Sequence, residues 1–291
     1  QSVMDEARRV GLCDVNQCVS ITKDFDGRTV SHLRALPKNL RFISEDGKGV
    51  RESKVMYEAM CIAAQKGLTV MSHAEDMDLS ATDYRLAENL ETARNLYLAA
   101  STGAKLHMCH VSTKEALEDI LTAKRRGVRV TFEVTPHHIW FCHDEFRVNP
   151  PIRRQEDVDA LVRAMLADEV DAIATDHAPH TPQDKQNGAP GCVGLETAFS
   201  VCYTKLCKQH GMPLSRLSRM LSRTPAQIMG LNKGLLQPGF DGDVVLAALE
   251  EEYTVNPDEF AGKSHNTPYA GLRLAGRVKV TVKQGVLTYQ M

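Results

Sequence analysis

The sequence predicts an α/β protein, an incomplete TIM-like (β/α)8 barrel with about six of its eight strands and the C-terminal part of a small β-sandwich. Short β-branched runs alternate with amphipathic helices, and several of these runs end directly in a His or an Asp. From Gly234 onward the chain changes to short β-rich pieces separated by Gly and Pro. We therefore expect the barrel in residues 1–233 and the β-rich part in residues 234–291.

The composition fits a globular protein with a large core and narrows the classes of partner. The chain has 291 residues, 43% hydrophobic and 25% charged, with a formal net charge of -2. Near-neutral charge and 5% aromatic residues favour neither a nucleic-acid nor a membrane-surface partner. We find neither a bilayer-spanning apolar run nor a signal peptide in it. The eight cysteines are scattered without a C-x-x-C pair, which indicates reduced thiols and a cytoplasmic protein.

The predicted strands are β-branched or apolar runs, and the helices between them show a helical apolar period with glycine at the stops. The strands are Val15–Ile21, Leu40–Ser44, Leu68–Ser72, Lys105–Cys109, Val128–Val134 and Val170–Thr175. The helices are Ser53–Lys66, Glu88–Ala100, one with a Ser112–Glu115 capping box that continues to Arg126, and Glu156–Leu166.

The remaining elements are three helices and three short strands. The helices lie near Glu196–Gln209, Leu214–Leu221 and Pro225–Met229, and the strands at Asp243–Leu246, Val278–Val282 and Val286–Tyr289. The chain begins at Gln1 with the pattern of late helical turns, ended by Gly11. Since six strands do not close an eight-stranded barrel, we expect that two βα units precede this sequence.

Four residues with metal-ligand chemistry follow four different strands: Asp46, His73, His110 and Asp176. The carboxyl ends of parallel strands meet at one edge, so these side chains are expected to converge. Imidazole and carboxylate suit Zn²⁺ or another borderline divalent ion. A carboxylate can bridge two ions, paired metals lower the pKa of a shared water, and Asp176 would take and return a proton.

Each of these residues has a structural explanation when taken alone. Asp46 precedes Gly47 and is a typical turn residue, and His73 is a typical hydrogen-bonded histidine at a strand end. His110 would then be a loop residue beside a helix cap and Asp176 a helix N-cap. Their joint occurrence at successive strand ends favours the metal site.

Two neighbouring histidines, His137 and His138, are expected to serve the structure or to support ligands rather than to bind metal. His107 alternates with its strand and is expected to face away from the strand mouth.

Several motifs resemble class I dihydroorotase, a member of the amidohydrolase superfamily that interconverts dihydroorotate and N-carbamoyl-L-aspartate in pyrimidine biosynthesis. The motifs are HAED at His73, CHVSTKEA at Cys109–Ala116, EVTPHH at Glu133–His138, NPPIR at Asn149–Arg153, IATDHAPH at Ile173–His180 and NTPYAG at Asn266–Gly271. They cover nearly the whole chain in the order of that family.

The resemblance implies a role for each matching residue and two Zn²⁺ ions in each intact site. Asp46 would bridge the metals, His73 and His110 would bind the second metal, and Asp176 would bind the first and act as general acid and base. Asn149 and His180 would hold the substrate. The resemblance leaves open a homodimer and a complex with aspartate transcarbamoylase.

One departure from the family concerns the first metal. The H-x-H pair of the family's first strand does not occur in this sequence, so we expect little or no activity from these 291 residues alone. Three alternatives are an allantoinase, a dihydropyrimidinase and a non-catalytic subunit of an aspartate transcarbamoylase complex. Asp46, where the first two enzymes place a carboxylated lysine, argues against them, and the presence of every other ligand argues against the third.

Overall fold

The computed structural model describes residues 2–291. These residues form two compact units that divide between Glu133 and Val134. The predicted domain boundary after residue 233 is a separate question and stays a prediction. No helix among residues 2–291 is long and apolar enough to cross a membrane.

The parallel sheet contains all of the six predicted strands, in chain order. In the first unit they are β1 Val19–Ser20, β2 Phe42–Ser44, β3 Thr69–Ser72, β4 Lys105–Met108 and β5 Val130–Val134. In the second unit β6 is Ala172–Ile173, and the Ala174 N–H donates to the carbonyl of Val134 at 3.2 Å. The strands are shorter than predicted because apolar character continues into the flanking turns.

The register of the sheet in the first unit separates its two faces. Ile43, Val70, Leu106 and Val130 lie level on neighbouring strands, and all four are buried. The next row on the other face contains Met71, His107 and Thr131. Alternation along each strand therefore gives one apolar face for core packing and one face with polar groups near the carboxyl ends.

The first unit has four α-helices: α1 Ser2–Val10, α2 Ser53–Lys66, α3 Tyr84–Thr102 and α4 Lys114–Arg125. The α2 prediction is confirmed at both ends, and Gly67 ends it with a left-handed φ of 72°. The α3 helix begins earlier than predicted because the Asp83 side chain accepts the Leu86 N–H.

The predicted capping box of α4 is wrong. Thr113 is the N-cap, and its side chain accepts the Ala116 N–H at 3.2 Å. Ser112 instead donates its backbone N–H and its hydroxyl to the buried carboxylate of Glu88. Ser112 therefore bonds to Glu88, 24 residues earlier in the chain, and does not cap α4.

The second unit combines short helices with an antiparallel sheet. Its α-helices are α5 Pro136–Trp140, α6 Gln155–Leu166, α7 Pro182–Gln186, α8 Ala198–Cys202, α9 Leu214–Ser218 and α10 Thr224–Met229. Its strands β7 Val244–Thr254, β8 Arg273–Lys283 and β9 Val286–Gln290 pair in that order. β7 and β8 exceed the predicted lengths because register shifts let the pairing continue past irregular positions.

A separate apolar cluster lies in the second unit. Val201, Val255, Tyr269 and Leu274 are buried together, and Trp140 and Phe141 pack against them. This cluster buries Tyr269 of the NTPYAG segment. It therefore also holds the residues just before Tyr269, whose contacts with nearby loops are described below.

Candidate active site

His73 and His110 meet directly in the first unit. His73 follows β3 and His110 follows β4, and both side chains are buried. His73 Nδ1 lies 2.8 Å from His110 Nε2, with the ring centroids 4.7 Å apart and the rings nearly perpendicular at 79°. The predicted convergence of these two residues is present.

Glu75 orients the His73 ring. Glu75 Oε2 accepts the Nε2–H of His73 at 2.8 Å, and both side chains are buried. A carboxylate on one ring nitrogen fixes the tautomer and leaves the other, Nδ1, with its lone pair toward His110. Two zinc-bound nitrogens stand roughly 3.3 Å apart, given Zn–N bonds of about 2.0–2.1 Å. This donor set therefore fits a zinc ion after a small opening.

The backbone of His110 has a strained conformation, which accompanies the contact of its ring with His73. Its φ is 37°, in the left-handed region that residues with a Cβ rarely adopt. Strand alternation alone would send His110 to the face opposite Cys109. The Glu88 carboxylate accepts the N–H groups of Ser112 at 2.9 Å and Thr113 at 3.2 Å, which holds the segment that follows.

Asp46 lies in an exposed turn two residues after β2, the strand that pairs with the one preceding His73. The adjacent Glu45 is buried and accepts the Thr22 N–H at 2.9 Å as well as the Thr22 hydroxyl. Burial first, and then the charge of Asp46, raise the pKa of the Cys18 thiol to about 11. Of the two neighbouring acids, Asp46 is therefore the one whose position leaves it accessible to a ligand.

A further cluster in the first unit was missed in the sequence. Ligand atoms of His107, Cys109 and Glu133 all lie within 4.8 Å of one another. The signal was available as two alternating patterns, His-x-Cys at the end of β4 and Thr-x-Glu in β5.

Asp176 follows β6 in the second unit, is half-buried, and has a left-handed φ of 49°. Burial first, and then the charge of Asp176, raise the pKa of the Cys192 thiol to about 12. Cys192 therefore stays protonated, and Asp176 is a carboxylate at a strained strand end. Strain of this kind is concentrated at functional sites.

His180 belongs to a network that sequence reasoning had only partly identified. Its backbone N–H lies 3.1 Å from both Ser264 Oγ and Asn266 Oδ1, and its ring nitrogen Nε2 lies 2.7 Å from the Pro190 carbonyl. The Asn266 amide donates to the carbonyls of Ala178 and Gly191, both at 3.1 Å. Asn266, from the NTPYAG motif, thus ties the loop around Gly191 to the segment of His180.

An open cavity of about 500 Å³ lies beside His180 in the second unit. Its lining includes Arg147, Asp184, Asn187 and Ala189. Lys185 fixes this wall, because its ammonium donates to the carbonyls of Arg147, Ala189 and Gly191, each at 2.9 Å. The cavity therefore has a polar lining of mixed charge, with the Arg147 guanidinium and the Asp184 carboxylate beside the His180 ring.

Asn149 lies just after the buried Val148, and its segment is held by His138. His138 Nε2 lies 2.9 Å from the Pro150 carbonyl and Nδ1 lies 2.8 Å from Thr135 Oγ1. Both ring nitrogens therefore have protein partners, which gives His138 a structural role. His137 Nδ1 lies 3.7 Å from the Cys192 thiol.

The pattern of the Amidohydrolase family matches residues 44–288, a span that contains every site residue named above. The chain belongs to the amidohydrolase family. Its curated relatives within that family include dihydroorotases. The dihydroorotase of Clostridium botulinum (strain Eklund 17B / Type B) is 46% identical over 294 residues, covering 100% of this chain and 74% of the relative. That of Lactobacillus leichmannii is 36% identical, covering 97% of this chain and 74% of the relative.

Solved structures of amidohydrolases share the fold of this family member. The D-hydantoinase (dihydropyrimidinase) from Thermus sp. superposes with a TM-score of 0.84 at 21% identity, covering 96% of this chain and 71% of the hydantoinase. At that identity the likeness concerns the fold alone. The predicted fold class and the dihydroorotase resemblance are thus confirmed, whereas the role of each site residue stays a proposal.

Proposed function

We propose that this amidohydrolase is a zinc-dependent dihydroorotase, which hydrolyses the cyclic amide of dihydroorotate reversibly to N-carbamoyl-L-aspartate. The observation that carries the proposal is the convergence of His73 Nδ1 and His110 Nε2 at 2.8 Å, with Glu75 on the far side of His73. The names of the curated relatives support the same substrate.

The residues of this chain are assigned as follows. His73, His110 and Asp46 would hold Zn²⁺ in the first unit, and Asp176 is proposed as a metal ligand in the second unit. Bound zinc polarises the amide carbonyl and lowers the pKa of water. Glu75 keeps the Nδ1 lone pair of His73 directed at the ion.

Asp176 is proposed as the group that moves the proton. Its carboxylate takes a proton from the attacking water and returns it to the leaving ring nitrogen. Asn149 and His180 hold the substrate, and the cavity beside His180 and Arg147 offers positive charge to its carboxylate.

We also propose that the protein works in the cytoplasm on this small substrate. A second copy of the chain and an aspartate transcarbamoylase are the proposed partners, and sedimentation of the chain with and without that enzyme tests both. The β-rich residues 234–291 are proposed as a separate domain, and limited proteolysis would test the boundary.

The function is tested with the zinc-loaded chain and a panel of dihydroorotate, hydantoin and allantoin. We expect zinc-dependent binding of N-carbamoyl-L-aspartate by calorimetry, and any turnover to be selective for dihydroorotate. Asp176→Asn should retain binding and should abolish any turnover that the unsubstituted chain shows. Preference for hydantoin or allantoin, or no binding of N-carbamoyl-L-aspartate, would overturn the proposal.

A further inference from the structure

His107, Cys109 and Glu133 offer one imidazole, one thiol and one carboxylate to the same small volume of the first unit. Their ligand atoms lie within 4.8 Å of one another. None of the three belongs to the ligand set proposed above. The cluster thus brings a nitrogen, a sulfur and an oxygen donor close together.

The register of β4 and β5 explains why the three side chains meet. His107 pairs with Thr131 across the two strands. Two residues further along the chain stand Cys109, directly after β4, and Glu133, within β5. Since side chains two apart point to the same face, all four form two successive rows on one face of the sheet.

Thr131 orients the His107 ring. His107 Nδ1 lies 2.8 Å from Thr131 Oγ1, and Nε2 lies 3.0 Å from Glu133 Oε2. The side chains of His107 and Glu133 are only 4% and 15% exposed. A threonine hydroxyl either donates or accepts, so Thr131 can accept the Nδ1–H once a metal ion has taken the place of the Nε2 proton.

We propose that His107, Cys109 and Glu133 form a zinc site of their own, in addition to the site of His73 and His110. Imidazole, thiolate and carboxylate are the ligand types that Zn²⁺ takes, with Zn–S near 2.3 Å and Zn–N of about 2.0–2.1 Å. Ligand atoms at such an ion stand roughly 3.3–3.7 Å apart, so the cluster closes by about 1 Å.

Binding has a defined proton balance. The Cys109 thiol loses its proton to solvent and binds as thiolate. The neutral His107 ring moves its proton from Nε2, where it is shared with Glu133, to Nδ1, where it is donated to Thr131, so that Nε2 and the Glu133 carboxylate can both bind the metal. The fourth position is filled by water. The ion joins β4 to β5 close to the segment that contains His110, so it fixes this part of the sheet independently of the proposed catalysis.

Cobalt substitution tests the proposal on the full chain, because a thiolate bound to Co²⁺ gives a strong near-ultraviolet charge-transfer band that nitrogen and oxygen ligands do not give. The starting protein has Cys13→Ser and Cys142→Ser, which removes the two exposed thiols. We expect the band to develop with one equivalent of Co²⁺ and to be displaced by Zn²⁺. Cys109→Ser should remove it.

Three further variants sharpen the result. Cys192→Ser is the matched control, since this buried thiol also lies near a histidine, His137, and its loss should leave the band unchanged. Glu133→Gln keeps the thiol and should lower the cobalt affinity at least about 10-fold. His73→Ala should keep the band.

Two outcomes would overturn the proposal: no charge-transfer band in the starting protein, or a band that persists in Cys109→Ser. Either result would show that His107, Cys109 and Glu133 form a hydrogen-bonded cluster that does not bind a metal ion. Because His73→Ala disables the site of the proposed function and not this one, the two proposals fail separately.

Discussion

Single residues near the proposed zinc site combine backbone strain with buried hydrogen bonds. His110 and Asp176 both have left-handed φ values, 37° and 49°, although neither is a glycine. Such strain persists only where surrounding contacts enforce it. For His110 those contacts include the Glu88 carboxylate on Ser112 and Thr113. The strained backbone at these two residues costs folding free energy, as is usual for residues at functional sites.

Glu75→Gln is expected to lower zinc affinity by about 10- to 100-fold, the usual effect of removing a carboxylate behind a histidine ligand. Glutamine keeps the shape but loses the charge that fixes the Nδ1 lone pair of His73. Competition with a chromophoric chelator measures the affinity. Glu58→Gln, on the exposed surface of α2, is the control. Equal affinity in Glu75→Gln and in the wild type would refute the role of Glu75.

Glu91 should make stability depend on pH. Burial raises the pKa of its carboxyl from 4.5 to about 7, and the Arg94 guanidinium, 2.7 Å away, only partly offsets this. The folded state therefore binds the proton more tightly than the unfolded state does. The contribution of Glu91 is fully present below pH 4.5 and is lost as pH rises toward about 7.

Glu91→Gln should flatten the pH dependence of the free energy of unfolding across that window, by roughly 3 kcal/mol at most. Urea unfolding at several pH values measures it, with Glu58→Gln as the control. An unchanged slope in Glu91→Gln would show that burial does not raise this pKa in solution.

Among the elements, the turn after β2 is packed closely against its neighbours. Gly49 lies against α3 and the segment after β3, where an added Cβ would overlap Glu91 Oε2 and the Glu75 carbonyl oxygen. The turn that contains Asp46 is thus held by close approach to the residues behind His73. The packing of this turn at Gly49 therefore sets the position of the Asp46 carboxylate.

Gly49→Ala is expected to destabilise the protein by about 1–3 kcal/mol, the usual cost of overpacking, and to weaken zinc binding. Thermal and urea unfolding give the first value and chelator competition the second. Gly262→Ala is the matched control, because its nearest atom, Glu196 Oε1, would lie 3.9 Å from the new Cβ. Equal stabilities of the two variants would contradict the packing explanation.

At the scale of the whole molecule, metal binding and folding are linked. The proposed histidine ligands follow different strands and meet only in the folded chain, so zinc is expected to bind the native state preferentially. Free Zn²⁺ at 100 times its dissociation constant should raise the free energy of unfolding by about 2.7 kcal/mol.

Urea unfolding with and without zinc measures this gain. A variant with His73→Ala and His110→Ala should lose the part of it that this pair supplies. An equal gain in the variant and in the wild type would place the stabilising ion elsewhere.

The sequence by itself determined the order and number of the parallel strands, the bounds of α2, and the family. These depend on local apolar periodicity, glycine stops and motif order, which remain legible without tertiary contacts. It also identified His73 and His110 as a pair, because the ends of parallel strands must meet at one edge.

Only the tertiary structure decided which partners those residues have. Glu88 reaches Ser112 across 24 positions and moves the cap of α4 to Thr113, and Asn266 reaches Ala178 across 88. The cluster of His107, Cys109 and Glu133 depends on the register between two strands. Register and long-range hydrogen bonds are set by the packing of the whole sheet, so no local pattern in the sequence contains them.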